Sequence, residues 1–410
     1  MTESATTAVD DNADVPEYPT PRDGKCPFAP PPELLATEKS VSRARTWDGN
    51  TPWLITGHAA QRTILSDPRV SANDHLPGFP FPTQHQAETT AGRPKTIFDL
   101  DGAEHARLRR MLTSSFSRKR MQALRPGIQQ VTDDLIDKML AGPAPVDLVE
   151  ALSLPLPSLM ICDLLGVPYT DHGFFQKHAV VATARNVTAE VSAQSFVELS
   201  GYLGTLITAK IDAPAEDVLS DLGAQVSAGE LTISEAATMG LIMLIAGHET
   251  SANMITLSTA LLLQNPDQLT LLRETEDPKV ISAAVEELLR YLSIAHLGQR
   301  RIALEDIEID GETIRAGDGI IAPLPAANWD PMAFPEPEKL DLTREARHHH
   351  TFGWGPHQCI GQQLARIELE VVFSTLYRRI PTMRLAVGFD ELEFKGDSLA
   401  YGIHELPISW

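Results

Sequence analysis

Along most of the chain, apolar residues recur every three to four positions, the period of a helix that buries one face. Read this way, helices are expected over His58–Leu65, Gly102–Ser115, Lys119–Leu140, Ser158–Leu165, His172–Val181, Ala193–Ile211 and Ala215–Val226. The most apolar helix starts after an N-cap candidate, Ser234, runs through Met239–Leu263 and stops at Asn265–Pro266. Asp267–Glu276, Lys279–Leu292 and Ile360–Tyr377 read as further helices. Strand patterns are confined to Trp53–Thr56, Gln299–Ile309, Glu312–Ile314 and Gly319–Ala322, with Gly311 marking a turn. Ser71–Ile97 shows neither period; it is rich in Pro and Gly and reads as a long irregular segment. The fold class expected is therefore mainly α with a small β-rich part. No internal repeat is found and no linker divides the pattern. A loosely ordered, acidic, Pro-rich tail is expected over residues 1–33, and a single domain over 34–410.

Charge and cysteine content narrow the setting. The chain of 410 residues carries 34 basic and 55 acidic side chains, a net charge of −21. That balance argues against nucleic acid and against anionic membrane surfaces. Three cysteines, Cys26, Cys162 and Cys359, give no disulfide framework, so a reducing cytoplasm is expected. The first 33 residues lack the apolar core of a signal peptide. The most apolar helix is interrupted by Gly247, His248, Glu249 and Thr250, which are costly in lipid; it reads as a buried core helix, not a membrane span.

The chemistry concentrates in Phe352–Gly361, FGWGPHQCIG. Cys359 stands between a glycine-rich turn and a helix, where free backbone N–H groups would lower a thiol's pKa and hold a thiolate. Gly353 and Gly355 allow a tight fold and a close approach to something flat. His357 can donate to an anionic group on that object. A haem fits, with iron on the sulfur and a propionate near the histidine. Two other readings of Cys359 exist: an inert buried thiol, or a zinc site with His348, His349, His350 and His357. Neither accounts for the flanking glycines, and Cys359 has no cysteine neighbour.

The segment resembles the haem signature of the cytochrome P-450 family, Phe-Gly-x-Gly-x-His-x-Cys-x-Gly, at every fixed position. The resemblance extends over essentially the whole chain after about Cys26. It implies haem b with Cys359 as the iron ligand and Phe352 and Gly353 in the cofactor loop. His105 and Arg109, four apart on one helix, would hold a propionate together with Arg301 and His357. Ala246-Gly247-His248-Glu249-Thr250 resembles the family's oxygen-activating motif. There Glu249 and Thr250 would relay protons, and Gly247, unfavourable in mid-helix by about 1 kcal/mol, would leave room for oxygen. Taken alone, Thr250 reads as well as an i−4 hydrogen bond, and Glu249 as a salt bridge. Ala252 stands where a zinc-protease helix would need its second histidine.

Glu287 and Arg290 share a helix face, and by resemblance form a buried pair that fixes the haem-binding core; the bland reading is a surface pair. His349 is the candidate for its third partner, since Lys339 stands where many members have arginine. Trp329 also stands where many bacterial members have arginine; surface packing is its only reading.

By resemblance, the protein is a haem-thiolate monooxygenase of the soluble bacterial, actinobacterial secondary-metabolite and xenobiotic group. It would be a cytoplasmic monomer that inserts one atom of O2 into a large apolar substrate of the macrolide, polyene, terpenoid or sterol type, as in antibiotic biosynthesis. Electrons would come from NAD(P)H through a ferredoxin reductase and a ferredoxin. No nucleic acid and no membrane insertion are expected. Pocket candidates are Leu76, Phe79, Phe81, Ile242, Met243, Ile294, His296, Tyr401 and Ile403, for which core packing is the alternative. The Ser71–Ile97 and Asp171–Gln194 segments lie where the family places its lid. A basic run from Arg107 to Arg125, without an acidic residue, is the expected ferredoxin face. Peroxide-driven oxygenation, or a non-catalytic haem sensor or carrier, are the competing functions.

Overall fold

In the computed structural model, the described residues are 15–22, 26–37, 39–91, 93, 95–171, 173–175, 178, 181, 188–396 and 398–410. In chain order the helices are α1 (Pro32–Leu35), α2 (His58–Ser66), α3 (Gln84–Ala91), α4 (Gly102–Thr113), α5 (Arg118–Ala123), α6 (Arg125–Ala141), α7 (Pro155–Leu165), α8 (Ala189–Asp212), α9 (Val218–Ser227), α10 (Ile233–Leu263), α11 (Pro266–Glu274), α12 (Pro278–Leu292), α13 (Leu324–Asn328) and α14 (Gln362–Arg379). The strands are β1 (Val41–Arg43), β2 (Trp53–Ile55), β3 (Val70–Ser71), β4 (Val146–Asp147), β5 (Gln299–Ala303), β6 (Ile307–Ile309), β7 (Glu312–Ile314), β8 (Gly319–Ala322), β9 (Arg384–Leu385) and β10 (Pro407–Ser409).

The core forms around α10, which packs against α7, α8, α9 and α14. Its buried residues occupy nearly every face in the second half, so it runs through the molecule and not along its surface. The helix begins at a capping box: Thr232 Oγ1 accepts from the Glu235 N–H at 3.1 Å, and Glu235 Oε2 accepts from the Thr232 N–H at 2.8 Å. That cap contributes about 1 kcal/mol and lies two residues before the expected Ser234. No helix among the described residues is long and apolar enough to cross a membrane.

The largest sheet has the order β1-β2-β8-β5-β3. Its one parallel pairing sets Trp53 against Ile320 and Leu54 against Ile321. A small sheet, β4-β10-β9, ties the C-terminal strand to the segment before α7. The strand expected over Gln299–Ile309 is two strands, β5 and β6, which belong to different sheets. The helix expected over Lys119–Leu140 is likewise two, α5 and α6, because Pro126 cannot supply an N–H to the preceding turn. Half of the helix expected over His172–Val181 lies outside the described residues.

Two expectations about irregular regions change. Residues 1–14 lie outside the description, but the packed chain begins well before residue 34. Tyr18 and Phe28 are buried. The Arg22 guanidinium donates to the carbonyls of Phe28, Leu292 and Ser293 and lies 4.1 Å from the Tyr401 ring centroid. Ser71–Ile97 contains α3, which packs on α8. The end of this segment is pinned by Arg93, which pairs with Asp74 and Asp99 at 2.6 Å each.

Candidate functional site

Cys359 closes the loop between α13 and α14. The backbone folds back there, with the Cys359 N–H donating to the Phe352 carbonyl at 2.8 Å. Gly353 and Gly355 have φ of 71° and 73°. A Cβ on Gly353 would strike the Gln299 side chain, and one on Gly355 the Leu65 carbonyl. The loop is thus wedged against β5 and α2, and only glycine permits it. Arg366 lies over the Phe352 ring, 4.5 Å from its centroid, which fixes that ring at the start of α14.

The thiol of Cys359 is accessible to solvent. It is nevertheless hemmed in, and burial pushes its pKa up. Together these facts place the sulfur on an interior cleft, not on the outer surface. The N–H groups of Gly361 and Gln362, with Arg109 and Arg366, favour the thiolate. The expected net lowering at the helix N-terminus therefore does not hold for the protein atoms alone: desolvation is larger than the helix-end effect.

Four basic side chains from three parts of the chain converge beside this loop. The His105 and His357 rings stack with centroids 4.1 Å apart. Burial, then the charges of His357, Arg109 and Arg301, depress His105 to about 4. Burial lowers Arg301 to about 10, with only Asp101 opposing. Asp101 lies 3.6 Å from His357 Nε2. Although burial raises it, the bonds from His357, the Ala72 N–H and Ser71 hold its carboxyl down at about 2. One carboxylate against four basic groups leaves the cluster short of negative charge. Carboxylates of a ligand would relieve that shortage. An open recess of about 320 Å³ beside it is lined by His105, Arg109, Arg110, Gly355 and Pro356, among others.

On α10, Ala246 and Thr250 are exposed although Leu244, His248, Ser251 and Ala252 are buried. Exposed positions in the middle of a core helix mean that α10 borders an internal cleft there. The next residue, Ser251, donates to Glu368 of α14 at 2.6 Å, tying this wall to the helix that starts beside Cys359. Burial pushes Glu368 up to about 7. The Thr250 hydroxyl donates to the Ala246 carbonyl at 2.7 Å, the i−4 bond anticipated as one alternative. Its oxygen keeps lone pairs to accept with. Glu249 pairs with Lys395 at 3.4 Å, the salt-bridge alternative realised with a C-terminal partner.

Gly247 is corrected. A Cβ there would come within 2.9 Å of Ile161 on α7. Its missing side chain serves the close approach of α7 and α10, and the open position on the helix is Ala246.

Glu287 and Arg290 are both fully buried and joined by two bonds, Nε to Oε2 at 2.7 Å and Nη2 to Oε1 at 2.8 Å. Their third partner is Arg344, whose Nε donates to Glu287 Oε1 at 3.2 Å. His349 is not that partner: its Nε2 lies 3.0 Å from Glu286 Oε2, in a second buried network with Arg366. Arg344 follows the expected position at Lys339 by five residues, and its Nη2 donates back to the Lys339 carbonyl. Trp329 is buried, not superficial; its Nε1 donates to the Tyr291 carbonyl at 3.0 Å.

The pocket candidates divide. Leu76, Phe79, Phe81, Ile242 and His296 keep partial exposure. The Phe79 and Phe81 rings meet at a tilt of 55°, with centroids 5.1 Å apart. Met243, Ile294, Tyr401 and Ile403 are closed into the main core, so packing is their role in this structure.

An interior thiol at a helix start, an anion-seeking cluster next to it and a facing core helix with an open middle suit one group. The residues present fit a thiolate-ligated haem with two carboxylate arms, and the class is a haem-thiolate protein. The family model for cytochrome P-450 matches residues 207–380. The chain is 55% identical over 399 residues to cytochrome P-450 CYP105Q4 of Mycobacterium marinum, covering 97% of this chain and 96% of that protein. It is 50% identical over 415 residues to cytochrome P-450 GfsF of Streptomyces halstedii, with 100% of both covered. The crystal structure of GfsF matches with a TM-score of 0.91 at 51% identity, over 97% of this chain and 100% of that one. The crystal structure of CYP105P1 in complex with filipin I gives a TM-score of 0.88 at 39% identity, over 97% and 99%. The chain belongs to the cytochrome P-450 family. Among its relatives is the 20-oxo-5-O-mycaminosyltylactone 23-monooxygenase of Streptomyces fradiae, 41% identical over 389 residues, covering 94% of this chain and 90% of that protein.

Proposed function

We propose that the protein hydroxylates a large apolar secondary metabolite, using O2 and electrons delivered from NAD(P)H through a ferredoxin. The observation that carries this reading is the Cys359 thiol on an interior cleft, aimed at by two helix-start N–H groups. Haem held there supplies the redox chemistry that divides dioxygen between product and water.

The chain's own residues do the rest. Cys359 would hold the haem iron through its sulfur, and the Gly361 and Gln362 N–H groups favour its thiolate. His105, Arg109, Arg301 and His357 would bind the haem's carboxylate arms. Thr250 presents its hydroxyl oxygen to the cleft while its proton rests on the Ala246 carbonyl. Glu249, one residue earlier and partly open to water, takes protons from solvent and passes them inward. Phe79, Phe81 and Ile242 exclude water from the substrate's side. That a relative of the same fold binds filipin I supports a bulky substrate.

Electron delivery is assigned to the basic side of α4 and α5. Of the seven basic residues from Arg107 to Arg125, Arg107 pairs with Glu235, Arg120 with Asp221 and Arg125 with Glu370, and Arg109 turns toward Cys359. Arg110, Arg118 and Lys119 are exposed and have no ion-pair partner among the described residues. They lie on helices adjoining the cysteine loop and α14. Acidic ferredoxin would be steered there.

Turnover with NAD(P)H and a surrogate ferredoxin system should exceed peroxide-driven turnover, and Thr250→Ala should divert electrons from product into peroxide. Faster turnover with peroxide would favour a peroxygenase. No turnover with either, using a compound that shifts the Soret band, would favour a sensor or carrier.

A further inference from the structure

The C-terminal arm, residues 393–404, reaches α10 at Asn253. Asn253 is buried, and its Nδ2 donates to the Ala400 carbonyl at 3.3 Å. Gly402 lies so close that a Cβ on it would overlap the Asn253 carboxamide. At the same residue the Lys395 side chain, only 15% exposed, brings its ammonium to α10. Nζ donates to Asn253 Oδ1 at 3.2 Å and to Glu249 Oε1 at 3.4 Å. Glu249 and Asn253 are four apart and so present one helix face. Lys395 is the one cation paired with Glu249 among the described residues.

We propose that Lys395 is a positioning residue for proton delivery, holding the Glu249 carboxylate against the C-terminal arm so that it turns over the helix beside Thr250. This rests on the relay reading of Glu249. An unanchored glutamate on a half-open helix samples several rotamers, and each conformer pointing to bulk water delivers no proton inward. The ammonium and the Asn253 carboxamide oxygen together restrict that choice. The arm is itself held by a residue near the substrate's side: His296 Nε2 lies 2.8 Å from the Ser398 carbonyl. Displacement of the arm by substrate would therefore reach the carboxylate through Lys395.

The test compares Lys395→Met, Lys395→Arg, Glu249→Gln and the Lys395→Met/Glu249→Gln double variant as haem-loaded proteins. The measured quantities are product formed per NAD(P)H consumed and the solvent isotope effect on turnover. A partly exposed ion pair predicts a loss of coupling of about two- to fivefold in Lys395→Met. Arginine should restore most of it. In the Glu249→Gln background the lysine change should have no further effect, an outcome that a merely structural role of Lys395 would not give. The ferric Soret band and substrate-induced shift should stay as in the wild type. If Glu249→Gln uncouples but Lys395→Met does not, the positioning role is wrong and the relay stands. If Glu249→Gln leaves coupling and isotope effect unchanged, the relay itself is wrong. Additive losses in the double variant would also overturn the proposal.

Discussion

Replacing Arg344 by methionine should weaken the support beneath the cysteine loop by a calculable amount. Glu287 Oε1 accepts three bonds: from Arg290 Nη2 at 2.8 Å, the Asp341 N–H at 3.1 Å and Arg344 Nε at 3.2 Å. The Arg344 guanidinium also donates to the carbonyls of Pro335 at 2.6 Å, Glu336 at 3.1 Å and Lys339 at 3.2 Å. Methionine keeps most of the stem and removes every one of these donors. Arg290 remains on Glu287 through two bonds, so the carboxylate is not stranded. The roughly 3–5 kcal/mol loss that follows breaking a buried pair outright is therefore an upper bound. One charged bond contributes about 1.5–3 kcal/mol. The three carbonyls lie near the surface, where water replaces the guanidinium at small loss. The expected destabilisation is about 2–4 kcal/mol. Unfolding entropy grows with chain length, and for this chain about 1 kcal/mol corresponds to about 1 °C in Tm. Haem-loaded Arg344→Met should then melt roughly 2–5 °C lower, by circular dichroism and by the Soret band together. Combined with Glu287→Gln it should be non-additive by about 1 kcal/mol or more. A Tm within about 1 °C of the wild type and additive effects would refute the assignment of Arg344 as the third member.

Other perturbations follow from the same geometry. His350 is buried, stacked on His58 at 4.0 Å and pushed down to about 2 mainly by burial. It stays neutral in the fold but protonates in the unfolded chain, so stability present at neutral pH should fall by up to roughly 1.4 kcal/mol per pH unit below about 6.5. His350→Asn should show a shallower acid slope in denaturant titrations; an unchanged slope would count against this. Gly355→Ala should cost about 2 kcal/mol or more and impair haem loading, since it combines positive φ with a collision against the Leu65 backbone. Gly229→Ala, with φ of 75° and open space, isolates the backbone part of that loss; equal effects at the two sites would show that the collision is absent. Charge reversal at Arg110, Arg118 and Lys119 should slow reduction by ferredoxin and flatten its salt dependence without changing substrate affinity. Reversal at Arg120 would instead break its pair with Asp221. Wild-type rates and salt slope in the triple variant would place the donor elsewhere.

The helical frame and Cys359 were legible because both are local in sequence: the 3.6-residue period marks the buried faces, and Gly-x-Gly before His-x-Cys announces a forced turn. The four basic residues were legible only as a set carried by resemblance, since Arg109 among Arg107 and Arg110 is unremarkable by itself. What escaped depends on contacts across the chain. Gly247 read as space for a ligand because nothing in the sequence places Ile161 opposite it. His349 and Arg344 are five apart in a loop with no period, so which of them turns toward Glu287 is decided by tertiary packing. Lys395 carried no signal at all in its polar surroundings. Thr232 could have been found: Thr-x-x-Glu before an apolar run is a capping-box pattern.

The central claim is that the Cys359 sulfur holds haem iron as a thiolate on the interior cleft. Its most direct test is the reduced carbon monoxide complex of the haem-loaded protein, compared between wild type and Cys359→Ser. The wild type should give the strongly red-shifted Soret band of thiolate ligation, and the serine variant should lose it while keeping the fold by circular dichroism. A variant that folds, binds haem and retains that band would contradict the account.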